Sequence, residues 1–302
     1  MSRICIGGVG VTHRDITISA VRAIAFLSII LCHIFQFYSI ELAWWFNVGV
    51  QVFLCMSGFL YGKKGCADVL EFYRKQIKKI LVPYYVLILL MITAQLCFVK
   101  EQITVIRIAN VLLCHGTLFG GEHLWFIPTI LFCYTLFPLM SLFNDRIWEM
   151  KEIKKKVCYF SSVFVALGIL IRLFVPYFNS AWIACFYLGT VLGRIDDDIK
   201  LKITLISLIP VTFAFIGTQI VIDYVLHISM SGNLEVIYKM FCDFGHTFLG
   251  TTIMLSLMSM LKGLAFPVVL KRTISFLDTI SYEGYLVHQF CILGPFSVLK
   301  KI

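Results

Sequence analysis

The first apolar segment of the chain carries two ionisable side chains, Arg22 and His33. They are eleven residues apart, close to three helical turns, so a helix would place both on one face, about 16 Å apart along its axis. Asp15, Ser19 and Gln36 fall near the same stripe. A neutral imidazole acts as a general base near neutral pH. Because charges inside a bilayer are costly and usually face the bundle interior, the spacing predicts a polar stripe facing an enclosed, wet cavity.

Each of the two residues also has a structural interpretation. Arg22 lies two turns from the start of the segment, where a long side chain can reach back to the membrane interface. His33 can be a hydrogen-bonded packing residue. The shared face is what favours a functional path leading from one side of the membrane past its midplane.

Apolar segments of about 20 residues position these side chains. Of 302 residues, 60% are hydrophobic and 14% are charged, whereas a soluble domain is about 45–50% apolar and about a quarter charged. A helix needs roughly 20 residues to cross a hydrocarbon core about 30 Å thick. We predict one integral membrane domain over 1–302, an all-α polytopic transmembrane bundle of nine or ten spans, and exclude soluble, disordered and disulfide-scaffold proteins. The predicted spans are 16–38, 44–62, 80–99, 124–143, 157–175, 181–193, 203–222, 240–261 and 276–299.

The net charge of +9 comes from short basic clusters between the apolar segments. This pattern follows the positive-inside rule and does not indicate nucleic-acid binding. The strongest cluster, 63–79, is predicted to be cytoplasmic, which also places the N-terminus, with Arg3 and Arg14, inside. The loops at 151–156, 194–202 and 262–272 are expected on the same side.

Segment 103–119 decides between nine and ten spans. Under this orientation both of its ends are on the outer side, so it is expected to lie on the surface or to re-enter. If it crosses, there are ten spans, and Lys300–Lys301 favours that count by favouring a cytoplasmic C-terminus. The 11 cysteines include no CxxC pair and most lie in apolar segments, so we expect neither a metal site nor a disulfide.

Several segments, in order along nearly the whole chain, resemble the membrane-bound acyltransferase family 3. Arg22, ten intervening residues and His33 resemble the signature of that family's first span. The other similar segments are Trp45–Phe53 leading into Ser57–Phe59, His123–Phe126 with Pro138, Phe186–Gly193, and Ile280–His288.

The resemblance implies a function for the polar stripe. Family members move acyl groups, often acetyl, from cytoplasmic acyl-CoA to hydroxyls of surface carbohydrate or related acceptors. It implies that His33 is catalytic, as a general base or as a transient acyl carrier, and that Arg22 is essential. Arg22 would stabilise an oxyanion, hold the donor or orient His33 through a shared ligand. The implied partners are acyl-CoA, most simply acetyl-CoA, as donor substrate with no bound cofactor, and a carbohydrate or lipid-linked glycan as acceptor. The family is mainly bacterial, which implies the inner membrane.

A basic segment is the expected donor site. In a helix its side chains stack in i, i+4 pairs at the membrane surface, where they suit coenzyme A phosphates: Arg74, Lys75, Lys78 and Lys79. The family usually carries arginines here, and a lysine lacks the planar fork of arginine. The alternative is a purely topogenic basic loop.

Five further residues are candidates for lining the site: Ser57, His123, Trp125, Glu283 and His288. The small residues at Ser57 and Gly58 also favour close helix packing, and His123 with Trp125 can be an interfacial anchor or an acceptor site. Glu283 and His288 are 140° apart on a helix and do not share a face.

Three more polar residues have mainly structural interpretations. Asp243 and His246 share a face at i, i+3 and form either a buried pair or a proton-handling element. Arg172 binds headgroups or an acceptor.

Two alternatives to an enzyme remain at this stage. A transporter of a glycolipid or small anion would use the same stripe and would have helices broken near Pro128, Pro138 or Pro210. The second alternative is a family member that binds its ligands without catalysis. It is suggested by the lysines that replace the family's usual arginines in the basic segment.

Overall fold

The computed structural model describes residues 15–98, 104–116, 118, 121–174, 178–195, 198–294 and 297–301. Over these residues the chain is helical, and none of them lies in a strand. The helices are α1 (Ile16–Phe37), α2 (Ala43–Phe46), α3 (Gly49–Lys64), α4 (Val69–Phe98), α5 (Val105–Leu112), α6 (Phe126–Glu149), α7 (Ile153–Phe174), α8 (Ser180–Leu192), α9 (Asp198–Ile220), α10 (Asn233–Leu261) and α11 (Val268–Ile292). Glu122–Trp125 forms a 3₁₀ turn before α6, and Val298–Lys301 forms another after α11.

The all-α prediction is confirmed, and each predicted span falls on a helix. Within the described ranges, six helical segments are long and apolar enough to cross a membrane, and α8 and the Cys158–Phe174 part of α7 are shorter apolar helices. The predicted number of nine or ten is larger than this set of six. The six are Ile16–Phe37, Ala43–Lys64, Val69–Phe98, Glu122–Glu149, Asp198–Val225 and Asn233–Leu261.

Helix α5 occupies the segment that separates nine spans from ten. It has eight residues, which corresponds to about 12 Å, too short to cross the hydrocarbon core. The hydroxyls of Tyr84 and Tyr85 on α4 donate to the carbonyls of Val111 and Leu112, at 2.6 and 3.1 Å. The described part of this segment is therefore a short helix held against α4, in agreement with the prediction that it does not cross.

The basic loops meet at one end of the bundle, as predicted. One cleft of about 250 Å³ is lined by Asp15 and by side chains from three of these loops, among them Lys63, Lys202 and Lys262. The fourth loop joins α6 to α7, and beside it Arg194 forms an ion pair with Asp145 at 2.8 Å. Arg3 and Arg14 lie outside the described residues. We call this end, which also holds the start of α1, the basic end.

Helices α1 and α11 run parallel, although they come from opposite ends of the sequence. The Ser19 hydroxyl donates to Asp278 at 2.8 Å, and further along both helices the rings of His33 and His288 are 4.8 Å apart. Helix α11 therefore ends away from the basic end. Lys300, whose ammonium group donates to the Gly294 carbonyl at 3.5 Å, lies there too, so Lys300 and the basic loops are at opposite ends of the bundle, whereas the expectation drawn from Lys300–Lys301 puts them on one side. A preference of two lysines is weak compared with the packing of a whole helix.

Helices α3 and α8 form the tightest contact in the core. Four glycines lie in it: Gly58 and Gly62 on α3, Gly189 on α8, and Gly193 at the C-terminal cap of α8. A Cβ atom on any of them would lie 2.1 Å from a backbone oxygen of the facing segment. Because small residues let helix backbones approach each other, the packing interpretation of Gly58 is confirmed. This contact fixes α3, which carries part of the site.

The described helices are not broken at the prolines of interest. Pro138 and Pro210 lie inside α6 and α9, and Pro128 lies in the first turn of α6. The broken helices expected of a transporter are not found at these positions.

Candidate active site

A cavity of about 310 Å³ lies between α1, α3, α4, α6 and α11, and Arg22 is one of its lining residues. At the basic end the cavity is lined by Asp15, and it extends along α1 to Ile29. A separation of fourteen positions corresponds to about 21 Å of helix. The lining includes many polar side chains, among them Ser19, Ser57, Tyr61, Tyr134, Asp278 and Ser281. The first helix therefore lines a cavity that contains many polar groups, as predicted, but this cavity is partly open instead of enclosed.

Arg22 is held in the cavity wall by Asp278. Its Nη1 lies 2.8 Å from the Asp278 carboxylate, which is almost fully buried, while the Arg22 side chain keeps 23% of its exposure. Ser19 donates to the other carboxylate oxygen at 2.8 Å, and Nη2 of Arg22 lies 3.5 Å from the Ser281 hydroxyl. The guanidinium carbon lies 5.9 Å from the centre of the Phe53 ring. Arg22 therefore faces the interior, and the snorkelling interpretation is wrong.

Asp278 is a site residue that the sequence analysis did not single out. It is an ionisable residue inside the predicted span 276–299, so the rule that drew attention to Arg22 applies to it equally. A buried carboxylate next to a guanidinium neutralises the charge of both groups. The five N–H donors of arginine are not all used by Asp278 and Ser281, so Arg22 keeps donors for a ligand.

His33 belongs to a cluster of three histidines away from the basic end. Its ring lies 4.8 Å from the ring of His288, which in turn lies 4.8 Å from that of His123. The Nδ1 atom of His33 lies 2.6 Å from the Gln36 side-chain oxygen. Since that oxygen can only accept, Nδ1 carries the hydrogen and Nε2 of a neutral ring keeps its lone pair. The structure thus joins three residues that were candidates for separate reasons.

The other two histidines are held in defined orientations by backbone carbonyls. Nε2 of His123 lies 2.9 Å from the Leu286 carbonyl, and Nδ1 of His288 lies 2.6 Å from the Tyr285 carbonyl. A carbonyl oxygen only accepts, so each of these nitrogens carries a hydrogen. The remaining nitrogens, Nδ1 of His123 and Nε2 of His288, are buried and have no hydrogen-bond partner within the described part of the chain. Both nitrogens therefore keep a lone pair that can accept a proton or a hydrogen bond from a hydroxyl group.

Tyr285 separates the cavity from the histidine cluster. It lines the cavity, and its ring lies 5.3 Å from that of His123 and 5.2 Å from that of His288. Its hydroxyl donates to the His123 carbonyl at 2.9 Å. Ile29, which also lines the cavity, is one helical turn from His33. Arg22 faces the cavity as predicted, whereas His33 lies just beyond its far end instead of in its lining.

The predicted donor residues are helical, as expected, but only one of them reaches the cavity. Lys79 lines it near the basic end together with Lys64, which the sequence analysis did not select. Lys75 forms an ion pair with Glu71 at 2.5 Å. Three of the predicted donor residues are exposed on the first turns of α4 and do not line the cavity: Arg74, Lys75 and Lys78. Side chains spaced i, i+4 share one face of a helix. The cavity meets α4 at Lys79 and Ile80, beside the face that carries Arg74 and Lys78.

Of the other candidates, Ser57 lines the cavity, and His123 and His288 are in the cluster. Glu283 is exposed and is not part of either. It is five residues from Asp278 and five from His288, so it points about 140° away from both. Its prediction as a lining residue is wrong for that geometric reason.

Trp125 does not stand alone at an interface, because it stacks on Trp182 with ring centroids 3.8 Å apart. The hypothesised pair of Asp243 and His246 is not formed. Asp243 accepts a hydrogen bond from Asn179 at 2.9 Å, whereas His246 packs against the ring of Trp45 at 5.7 Å. Among the described residues, no group of three or more histidine, cysteine or acidic side chains is arranged to hold a metal ion.

These features define an all-helical membrane protein whose internal polar cavity ends beneath a group of imidazoles. A comparison with protein families matches residues 15–301 to the acyltransferase domain of acyltransferase family 3. The chain therefore belongs to acyltransferase family 3, and this membership supports an acyltransferase activity. No curated protein and no solved structure matches the chain.

Proposed function

We propose that the protein is a membrane O-acyltransferase that transfers an acyl group, in the simplest case acetyl, from acyl-CoA to a hydroxyl of a carbohydrate or lipid-linked glycan. The observation that carries the proposal is the cavity that leads from lysines at the basic end to Ile29 and Tyr285, which lie next to the histidine cluster. A thioester entering at the basic end would reach Tyr285, and a movement of this side chain would bring the thioester to His33.

The proposed position of the donor follows from the charges at the basic end and from the length of the cavity. Lys64 and Lys79 line the basic end of the cavity, where they supply positive charge for the phosphates of coenzyme A. The extended pantetheine arm would lie along the cavity and pass Arg22. The thioester would then lie near Ile29 and Tyr285, beside the histidines.

His33 performs the proton transfer in this proposal. The acceptor hydroxyl attacks the thioester carbonyl while Nε2 of His33 takes the hydroxyl proton. The C–S bond then breaks, and the coenzyme A thiolate leaves and receives that proton. In the variant with an acyl carrier, Nε2 attacks the thioester first and the hydroxyl then attacks the acyl-histidine. An acyl-imidazole hydrolyses rapidly in acid, so retention of labelled acyl group on the protein after a rapid denaturing quench near neutral pH distinguishes the second route.

Arg22 acts on the donor. Along α1 it lies about 16 Å from His33, and its nearest partners are Asp278 and Ser281. Of the three roles considered, orienting His33 is therefore the least consistent with the structure. We assign Arg22 to binding the acyl-CoA arm within the cavity.

The orientation follows from the charges. We propose that the basic end is cytoplasmic, in a bacterial inner membrane, because four basic loops gather there. Nine helices, α1, α3, α4 and α6–α11, would then cross in alternating directions. The donor would enter from the cytoplasm, and the acceptor would meet the histidine cluster from the other side.

The test uses the full chain, purified in nanodiscs and supplied with labelled acetyl-CoA. Release of free CoA and transfer of label to lipid or glycan are measured for the wild type, for His33→Asn and for the control His227→Asn. Asparagine cannot accept a proton, so His33→Asn is expected to lose about 10²–10⁴-fold in turnover. His227 is exposed at a positive φ of 48° that asparagine tolerates, so its variant should retain the wild-type rate.

Two results would count against the proposal. Wild-type turnover in a His33→Asn variant that melts at the wild-type temperature would remove His33 from the mechanism. Movement of a glycolipid across the bilayer with no release of CoA from acetyl-CoA would indicate a transporter instead.

A further inference from the structure

A second cleft, of about 540 Å³, lies away from the basic end, between the end of α7, the start of α8 and the first half of α10. Along α10 it extends from Glu235 to Phe244, which corresponds to about 13 Å of helix. It is separate from the cavity that holds Arg22. We call it the outer cleft.

Aromatic rings form one side of the outer cleft. Trp125 and Trp182 both line it and stack on each other with centroids 3.8 Å apart and planes 18° apart. Phe178, also in the lining, stacks on Phe132 with centroids 4.6 Å apart. Because each ring is braced by another, the cleft presents fixed flat surfaces.

Hydrogen-bonding groups form the rest of the lining. The Asn179 amide donates to Asp243 at 2.9 Å, and its oxygen accepts from the Ala181 backbone N–H at 2.9 Å. Both bonds fix the position of Asn179 at the start of α8. Arg172, Glu235 and Lys239 are exposed around the cleft. The lining thus offers hydrogen-bond donors and acceptors, with positively and negatively charged groups among them, next to the aromatic surface.

The outer cleft shares a structural element with the histidine cluster. Trp125 lies in the 3₁₀ turn Glu122–Trp125, which also carries His123. The Gln289 amide on α11 donates to the Glu122 carboxylate of this turn at 2.9 Å. The turn is therefore tied to α11 on one side and carries the stacked tryptophan on the other.

We propose that the outer cleft binds a sugar unit of the acceptor glycan, distinct from the unit whose hydroxyl is acylated. The apolar C–H face of a sugar ring packs on an aromatic ring, and its hydroxyls pair with carboxylate, amide and guanidinium groups. A lipid acyl chain fits poorly, because it would bury charged groups that it cannot pair. The inference rests on the proposed transferase function and adds a second contact for its acceptor.

The experiment measures sugar binding and donor binding separately, on the full chain in nanodiscs. Binding is followed by tryptophan fluorescence with a panel of neutral, acidic and N-acetylated oligosaccharides of one to four units. Because turnover needs an acceptor hydroxyl, binding of labelled acetyl-CoA without acceptor is measured in parallel. The variants are Trp182→Leu and, because Arg172 is exposed and its loss should not disturb folding, Arg172→Ala. The matched control is Trp148→Leu, since Trp148 lies beside Arg194 at the basic end.

We expect at least one oligosaccharide of two or more units to bind. Trp182→Leu should weaken that binding about tenfold or more and Arg172→Ala several-fold, whereas Trp148→Leu should not change it. The affinity for acetyl-CoA should be the same in all four proteins. Absence of binding by any member of the panel, or equal affinity in wild type and both cleft variants, would overturn the inference. If the wild type did not bind acetyl-CoA, the proposed function would fail instead.

Discussion

Two helix pairs in this bundle are built in opposite ways. Between α3 and α8 the backbones touch at glycines, whereas between α1 and α11 the contacts include a buried ion pair and a pair of histidine rings. Lipid tails are as apolar as aliphatic side chains, so these side chains gain little free energy by contacting each other instead of lipid. Close packing of small residues therefore holds helices together. Buried charges cost desolvation free energy and contribute less to stability. The first pair therefore serves as the scaffold, and the second carries the groups that can react.

The largest effect on the α1–α11 pair is expected from Asp278→Asn. This variant keeps a side chain that Ser19 can bond but removes the charge that holds Arg22. We expect kcat/KM for acetyl-CoA to fall by about 10- to 100-fold. Most of this fall should come from a higher KM, since the pair is assigned to donor binding. Conversion of 1.4 kcal/mol per tenfold change puts this loss at about 1.4–2.8 kcal/mol.

A purely structural role for Asp278 would give a different pattern. Melting temperature would fall in Asp278→Asn while KM for acetyl-CoA stayed constant. Asp278→Glu, which restores the charge, should recover part of the affinity for the donor. Failure of this rescue, with normal melting, would contradict the assignment of the carboxylate to Arg22.

The scaffold pair is tested by Gly189→Ala. The added Cβ would lie 2.1 Å from the backbone oxygen of Cys55, so the two helices must separate. We expect a loss of about 1–3 kcal/mol in the free energy of unfolding, as for other overpacked cores. Thermal unfolding in detergent measures it.

Gly217→Ala is the matched control for the glycine contact. Gly217 lies inside α9 and its Cβ would meet no heavy atom within 4 Å. Alanine favours a helix over glycine by about 0.5–1 kcal/mol, so this variant should melt at or above the wild-type temperature. Equal melting of Gly189→Ala and wild type would show that the α3–α8 contact is looser than described.

The smallest effect is expected at the basic end of the cavity. Lys79→Ala should raise KM for acetyl-CoA a few-fold, because Lys79 lines the cavity, whereas Lys78→Ala should not, because Lys78 is exposed beside it. The effect should shrink in high salt, since exposed charges are screened. An equal rise of KM in both variants would indicate that the donor phosphates bind the whole basic segment and not Lys79 in particular.

The sequence was sufficient to predict the helices but not how they meet. Runs of about 20 apolar residues mark spans directly, so α1 and the other long helices were expected. Boundaries were less accurate where a helix extends beyond the apolar part: α4 begins at Val69 instead of near residue 80, because its first turns are basic and amphipathic.

The polar site was predictable only in part. Arg22 and His33 share one helix, so their spacing alone places them on a face. Asp278 and Lys64 come from other helices, and nothing local to them shows that they meet α1. The clustering of His33, His123 and His288 likewise depends on three elements packing together. Residues such as Lys78 and Lys79 differ only in which way a helix is turned, which the packing decides.

The bond between Ser19 and Asp278 joins residues 259 positions apart. During synthesis α1 enters the membrane long before α11 is made. Until α11 emerges and inserts, Arg22 has no carboxylate beside it and His33 has no imidazole neighbour from α11. A ribosome-bound intermediate that lacks α11 would accordingly hold a finished glycine-packed scaffold with an unfinished site.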